Sequence, residues 1–322
     1  MDLPYRGSAF GLDWRSDIPL AGFDSGLDSG LAPGLAGTAP DIDVYRIDAL
    51  NDRPGGRAVN RGFVYDDGIR LGWGDEVAFD MTRGDRIGYL PGPRWTGALP
   101  ATFYSTVAAL TAAWRGLLPL HACAVELDGR AVLIAGAGGA GKSTLTAGLL
   151  ASGARFVADD LVVVRVGEGR VAGRNIVTRG RPTIRLHPDT ASALDTIHAW
   201  PVPGDPRGKW LARPRARSNA FELNLSAILI LGDGIAEGAA PAQGAVLRLF
   251  PHLFRRAWID ALPMRGDLMR DLLRLSVRVP VLGYPAQDGV TPACRQRRAA
   301  AAIGLVRDRL GSRRISPGAP QV

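Results

Sequence analysis

The sequence predicts an α/β protein: a small β-rich N-terminal domain over residues 1–101, then a larger domain over residues 102–322 built around a glycine-rich loop. Three observations carry this reading. Residues 136–143 form a glycine-rich octet between a short apolar run (AVLIA, residues 131–135) and a stretch that suits a helix. Downstream of it, short apolar runs alternate with longer amphipathic ones. Upstream, between residues 41 and 90, β-like runs are broken by Gly, Asp and Asn, the punctuation of antiparallel hairpins.

Composition sets outer bounds. The chain has 322 residues, long for one domain and natural for two, with 46% hydrophobic and 22% charged residues, enough apolar material for a core. The longest aliphatic runs, such as residues 227–231, fall far short of the ~20 residues a bilayer span needs. The N-terminus lacks a basic segment followed by an apolar one, so no signal peptide is expected. Two cysteines, Cys123 and Cys294, can supply neither a disulfide framework nor, alone, a four-ligand zinc site. The expectation is a soluble, cytoplasmic protein of a reducing compartment with no membrane partner.

In chain order, residues 23–40 read as a mobile loop, rich in Gly, Ala, Asp and Pro. The runs DVYRIDAL, GFVYDDGIRLGW and EVAFDM read as strands. Residues 102–117 predict an amphipathic helix that ends before Pro119. Residues 121–127 and 131–135 make a hairpin through an Asp128-Gly129 turn. A helix from Lys142 to Ser152 follows the glycine loop, and Gly153 stops it. Residues 155–158 form a strand ending at Asp159-Asp160. Residues 161–166, a GEGR turn and residues 171–174 read as a second hairpin. Then come a helix at 188–194, a Pro/Arg-rich loop at 199–219 of the kind that serves as a lid, and a buried strand at 226–231. Helices at 245–260 and 265–277, a strand at 279–284, a helix at 294–310 and a frayed tail at 313–322 complete the chain.

Charge is uneven. Residues 1–120 hold 11 Arg against 15 acids, a net of −4; residues 121–322 hold 26 Arg and 2 Lys against 16 acids, a net of +12. A basic half fits nucleic acid, an acidic partner, phosphate chemistry or merely a solvated surface. No basic stretch is interleaved with aromatics for base stacking, so no nucleic-acid partner is expected. Of 39 basic residues only Lys142 and Lys209 are lysine. A compact ammonium fits where a planar guanidinium does not, so each retained lysine invites a reason.

The octet GAGGAGKS matches G-x-x-x-x-G-K-[ST]. Phosphates must be approached by backbone N–H groups, and glycines allow the tight turn with no side chain in the way. A helix starting at Lys142 aims its positive dipole end at the same anion. In this reading Gly136, Gly138, Gly139, Ala140, Gly141, Lys142, Ser143 and Thr144 bind nucleotide, with Lys142 on the terminal phosphates and Ser143 a Mg²⁺ ligand. The alternative is a glycine-rich turn that binds nothing. Asp159 stands 17 residues after Lys142. A carboxylate there can hold Mg²⁺, and its neighbour Asp160 can take a proton from an attacking hydroxyl; mutual repulsion can raise one of the two pKa values. The alternative is a solvated Asp-Asp turn. His121 can bind phosphate or relay a proton. Lys209, next to Arg207 in the 199–219 loop, clamps a phosphate or is simply solvated. His187, His198 and His252 have no comparable context.

His121, the hairpin, GAGGAGKST and FVADDL together resemble the catalytic domain of HPr kinase/phosphorylase over residues 120–166. The whole chain is similar to the HPr-kinase-related serine kinases of bacterial peptide-maturation systems, lasso-peptide kinases included, which share a stretch like GLLPLHA (residues 116–122). The resemblance implies a mixed-sheet fold of the HPr kinase and PEP carboxykinase group. It implies ATP and Mg²⁺ as cofactors, a peptide or small-protein acceptor, Asp160 as the base, Asp159 as its metal-binding partner, and His121 near the transferred phosphoryl group. Two departures stand out: Thr144 replaces the family's glutamate after the loop serine, and TRGRPT (residues 178–183) replaces a glycine-rich signature. A nucleotide-hydrolysing switch and a kinase of free serine or a nucleotide remain as alternatives, and a homo-oligomer stays open.

Overall fold

The computed structural model describes residues 2–23, 41–167, 174–202, 205, 207–232, 238–239, 242–286 and 291–312. Among these are β1 (Tyr5–Ala9), β2 (Leu12–Ser16), β3 (Ile42–Arg46), β4 (Arg57–Val59), β5 (Gly62–Tyr65), β6 (Gly68–Trp73), β7 (Val77–Thr82) and β8 (Arg86–Pro91). They form one sheet in the order β1-β2-β3-β8-β7-β6-β5-β4. The expected hairpin runs become β5, β6 and β7, and strict alternation along β7 sends Val77, Phe79 and Met81 inward. The β1–β2 hairpin was not expected from the sequence. It turns at Phe10 and Gly11, whose positive φ values of 61° and 75° suit a tight hairpin turn. The Phe10 N–H donates to the Arg179 carbonyl at 2.9 Å. The TRGRPT stretch is therefore a seam. Arg179 stacks over Phe221 at 4.3 Å and Arg181 over Tyr104 at 4.4 Å.

The expected helix at 102–117 is realised as a π-helical turn, Phe103–Val107, leading into α1 (Ala108–Trp114). Its Ala108, Ala109, Ala112 and Ala113 are all fully buried. Such small side chains let the backbone lie close to apolar neighbours on both sides. One core runs from Trp14, Phe79 and Phe103 through Val107 and Leu110 to Leu118, Val163 and Ile228. Phe103 packs edge-on to Trp14 at 5.9 Å and tilted to Phe79 at 5.8 Å.

The second sheet comprises β9 (Leu118–Leu127), β10 (Arg130–Gly136), β11 (Arg155–Ala158), β12 (Leu161–Val166), β13 (Asn175–Thr178), β17 (Glu222–Gly232), β18 (Gly238–Ala239) and β19 (Val281–Pro285). The order is β10-β9-β12-β13-β17-β19-β18, with β11 also on β9, and β10 pairs β17 as well, so part of the sheet closes on itself. The sheet is mixed: β17 is parallel to β10 and β19, and the other pairs are antiparallel. A third sheet has the order β14-β16-β15, from β14 (Ile184–Leu186), β15 (Thr196–Pro201) and β16 (Trp210–Pro214). The helices are α2 (Lys142–Ala151), α3 (Pro188–Ala193), α4 (Ala242–Leu249), α5 (Arg256–Ile259), α6 (Arg265–Arg278) and α7 (Pro292–Ser312).

The architecture is thus mixed α/β, with two further local departures from expectation. The Pro/Arg-rich stretch 199–219 holds much of the β15–β16 hairpin rather than a bare loop; its composition hid strand pairing. The helix expected at 245–260 is broken into α4, a 3₁₀ turn at Phe250–His252 and α5. Pro251 lacks the N–H a helix interior needs, and Arg255 at φ 53° reverses the chain. The expected loop at 23–40 apart from Phe23, the expected strand at 171–174 apart from Arg174, and the tail at 313–322 lie outside the described residues; the strand that pairs with β12 is β13, starting one residue later at Asn175. Among the described residues no helix is long and apolar enough to cross a membrane.

Candidate functional site

The site forms where β9, β10 and the β11–β12 connection meet. β10 ends at Gly136, and the loop runs directly into α2 at Lys142. A Cβ on Gly136 would stand 2.8 Å from the Leu231 carbonyl oxygen, so at this level the parallel β10–β17 pair leaves room only for glycine. Gly139 and Gly141 both have φ 91°, a conformation that turns the loop back toward the cleft. Gly141 caps α2 without any side-chain bond, so no side chain competes for the helix's first amides. The Lys142 ammonium folds across its own loop and donates to the carbonyls of Gly136 (2.9 Å) and Ala137 (3.1 Å). Burial lowers its pKa; Lys209 adds to that, while Cys123, Asp159 and Asp160 oppose it.

Register then places the acids. Ala158 lies opposite Ala124 and Leu161 opposite His121, so Asp159 and Asp160 fall across from Cys123 and Ala122. Asp159 is pinned from three elements. Its Oδ1 accepts from Cys123 Sγ (2.8 Å) and, more weakly, from Ser143 Oγ (3.4 Å). Its Oδ2 accepts from the Arg185 backbone N–H at 2.8 Å. Burial pushes the Asp159 carboxyl up, the thiol and amide bonds hold it back, and the charge of Asp160 adds to the rise. The repulsion between the acids is therefore a lesser cause than burial, and the raised member is Asp159.

Asp160 adopts φ 68° and its side chain is 53% exposed. Its Oδ1 lies 3.2 Å from His121 Nδ1, which is also 3.1 Å from the Asp160 carbonyl oxygen. Both partners are acceptors, which assigns the Nδ1 proton by inference from the network. Burial would raise the Asp160 pKa, but the His121 hydrogen bond and charge, with Arg185 and Arg255, bring it below the usual carboxylate value. Asp160 is ionised at neutral pH and faces open space.

One cleft of about 350 Å³ brings together His121, Gly138, Gly139, Lys142, Ser143, Asp159, Asp160 and Lys209. That size suits a small-molecule pocket. Gly136, Ala140 and Gly141 frame the loop beneath it, and Thr144 sits half-buried in the first turn of α2, off the cleft wall. Four lining or supporting residues were not assigned a site role from the sequence: Cys123, Arg185, Arg207 and Asp205. Arg185 Nη1 lies 3.8 Å from Asp205 Oδ2, and the Arg207 N–H donates to Asp205 Oδ1 at 2.8 Å. His198 stacks on Trp200 at 5.2 Å in β15, and His187 precedes α3.

His252 also belongs to this neighbourhood. The bridge from Leu253 to Leu120 and the Phe254 N–H bond to the Pro119 carbonyl (3.1 Å) fasten its turn to β9. Burial, then the charges of Lys142 and His121, push its pKa from 6.5 down to about 4. An unfolded chain therefore binds a proton here between pH 6.5 and 4 that the native chain refuses, and stability falls as pH drops through that window. Asp159, raised in the native state, pulls the other way. With partial exposure allowed for, the His252 contribution is about 2 kcal/mol. Urea unfolding at pH 6.5 and pH 4 should show His252→Asn losing less stability than wild type by that amount; equal losses would mean another group carries the acid sensitivity.

No family model matches the chain, and no curated protein matches it. Among solved structures, it is similar to the Hpr(Ser) kinase/phosphatase from Coxiella burnetii at 14% sequence identity and a TM-score of 0.33, over 61% of this chain and 98% of that one. A likeness of that size assigns no activity to the chain.

Proposed function

We propose that the chain is an ATP- and Mg²⁺-dependent kinase that phosphorylates a serine hydroxyl of a peptide or small protein, a lasso precursor peptide being the candidate class. One observation carries the reading: a glycine loop with its lysine and serine faces a pinned carboxylate and an exposed, ionised one held by His121, across a single cleft.

The residues fit the implied groups. Ser143 Oγ and Asp159 are two hard oxygen donors, the sparse protein set that suits Mg²⁺ when phosphates and water complete its shell. Bound there, the ion supplies charge neutralisation on the phosphates. The chain's own groups do the rest. The loop amides and the α2 terminus hold the phosphates, and Lys142 balances charge on the transferring group. Asp160 accepts the serine proton as the serine oxygen bonds to the γ-phosphorus and the bond to the bridging oxygen of ADP breaks. His121 holds Asp160 in place through Nδ1. On this reading the residues from about 102 onward carry the chemistry and the first sheet serves the acceptor.

Incubation with isotopically labelled ATP, Mg²⁺ and serine-containing peptides, read by mass spectrometry, should place label on a serine side chain. Label found only as free phosphate, whatever the acceptor, would replace the kinase with a nucleotide-hydrolysing switch.

A further inference from the structure

A second cavity, of about 290 Å³, opens between the first sheet and the turn before α5. Leu71 and the buried Trp258 give it apolar walls. Among the described residues its charged lining residues are Arg61 and Arg255 alone. Other arginines of the N-terminal half have acids: Arg53 and Arg70 share Asp80, and Arg115 meets Asp41. Among the described residues no acid forms a salt bridge with Arg61 or Arg255; the nearest acid whose ionisation Arg255 favours is Asp160, in the neighbouring cleft. Arg255 spends only Nε, donating to the buried Thr106 hydroxyl at 3.0 Å, so its two terminal amino groups have no partner there. Its backbone is held at φ 53°, a conformation a non-glycine residue keeps only when its surroundings impose it.

The cavity adjoins the cleft. The Arg255 guanidinium lies 5.6 Å from the Phe254 ring centroid, and that ring stands edge-on to His121 at 5.8 Å. Two exposed guanidiniums whose terminal amino groups make no salt bridge, at the mouth of an apolar pocket, match a carboxylate, which can accept paired N–H bonds from each.

We propose that this cavity takes an acidic side chain, Asp or Glu, of the acceptor peptide between Arg61 and Arg255, with Phe254 and His121 standing between it and Asp160, and so sets the distance from that acid to the phosphorylated serine. The acceptor's role rests on the kinase reading; the binding of a carboxylate does not.

The test is direct binding of a peptide pool, each member with one fixed serine and randomised flanking positions, to the immobilised full chain without nucleotide, with retained peptides sequenced by mass spectrometry. Retained peptides should be enriched on the order of 5–10-fold in Asp or Glu at one fixed distance from the serine. Arg61→Gln and Arg255→Gln should each erase that enrichment, and Arg255→Lys should restore part of it. No enrichment in wild type, or enrichment unchanged in both Gln variants, overturns the proposal. Adding ATP and Mg²⁺ to the retained pool separates the two ideas: acid-selected peptides that gain no phosphate would overturn the kinase reading and leave the carboxylate site standing.

Discussion

Asp160→Asn should bind nucleotide and lose phosphoryl transfer by about 10²–10⁴-fold, the range a positioned general base supplies. Asparagine keeps the shape and can still accept from His121 Nδ1, so the φ 68° turn and its 3.2 Å contact have no steric reason to change. What disappears is the charge that receives the proton. Asp160 is held below the usual carboxylate pKa, chiefly by His121 against the opposing effect of burial. It is therefore ionised throughout the neutral range, and transfer should show no acid limb from this group until pH falls below the ordinary carboxylate value. Nucleotide affinity and turnover measured side by side check this. Full transfer in the variant would place the base elsewhere.

Lys142→Ala should weaken nucleotide binding by about 30–1,000-fold, the roughly 2–4 kcal/mol typical of removing one member of a partly buried, hydrogen-bonded charge pair. The ammonium already sits on the Gly136 and Ala137 carbonyls at the loop's rim. A triphosphate would compete for a cation that is in place rather than recruit one from solvent. Lys142→Arg should rescue little, because a planar guanidinium cannot fold across that pair of carbonyls as an ammonium does. Titration with a fluorescent nucleotide measures both variants; unchanged affinity in Lys142→Ala would remove the loop from the binding site.

What the sequence made legible was contiguous. The loop octet, the Asp pair and the hairpin from β9 to β10 each lie within a short window, where residue type alone constrains backbone: Asp128 and Gly129 take φ 51° and 73° in a two-residue turn, as their types suggest. His121 was found for its place one strand upstream. The remainder of the site was not legible, because tertiary packing supplies it. Cys123 reads as a small apolar strand residue until register sets it opposite Asp159. Arg185 acts through its backbone amide, which carries no side-chain signal at all. His252 and Arg255 stand close enough to exchange charge effects with the cleft only because Leu253 and Phe254 are fastened to β9, about 130 residues earlier in the chain. The third sheet was hidden by proline and arginine, whose loop-like composition outweighed the pairing of β15 with β16. The β1–β2 hairpin was masked by the small and acidic residues around it, although Leu12 and Trp14 alternate inward as a strand requires.

The most direct measurement is an experimental structure of the full chain with a non-hydrolysable ATP analogue and Mg²⁺. The expected result has the phosphates against residues 138–143, the metal between Ser143 and Asp159, and the Asp160 carboxylate within hydrogen-bond reach of the space beyond the terminal phosphate. Phosphates bound anywhere else, or an Asp160 side chain facing away from them, would contradict the phosphotransfer account.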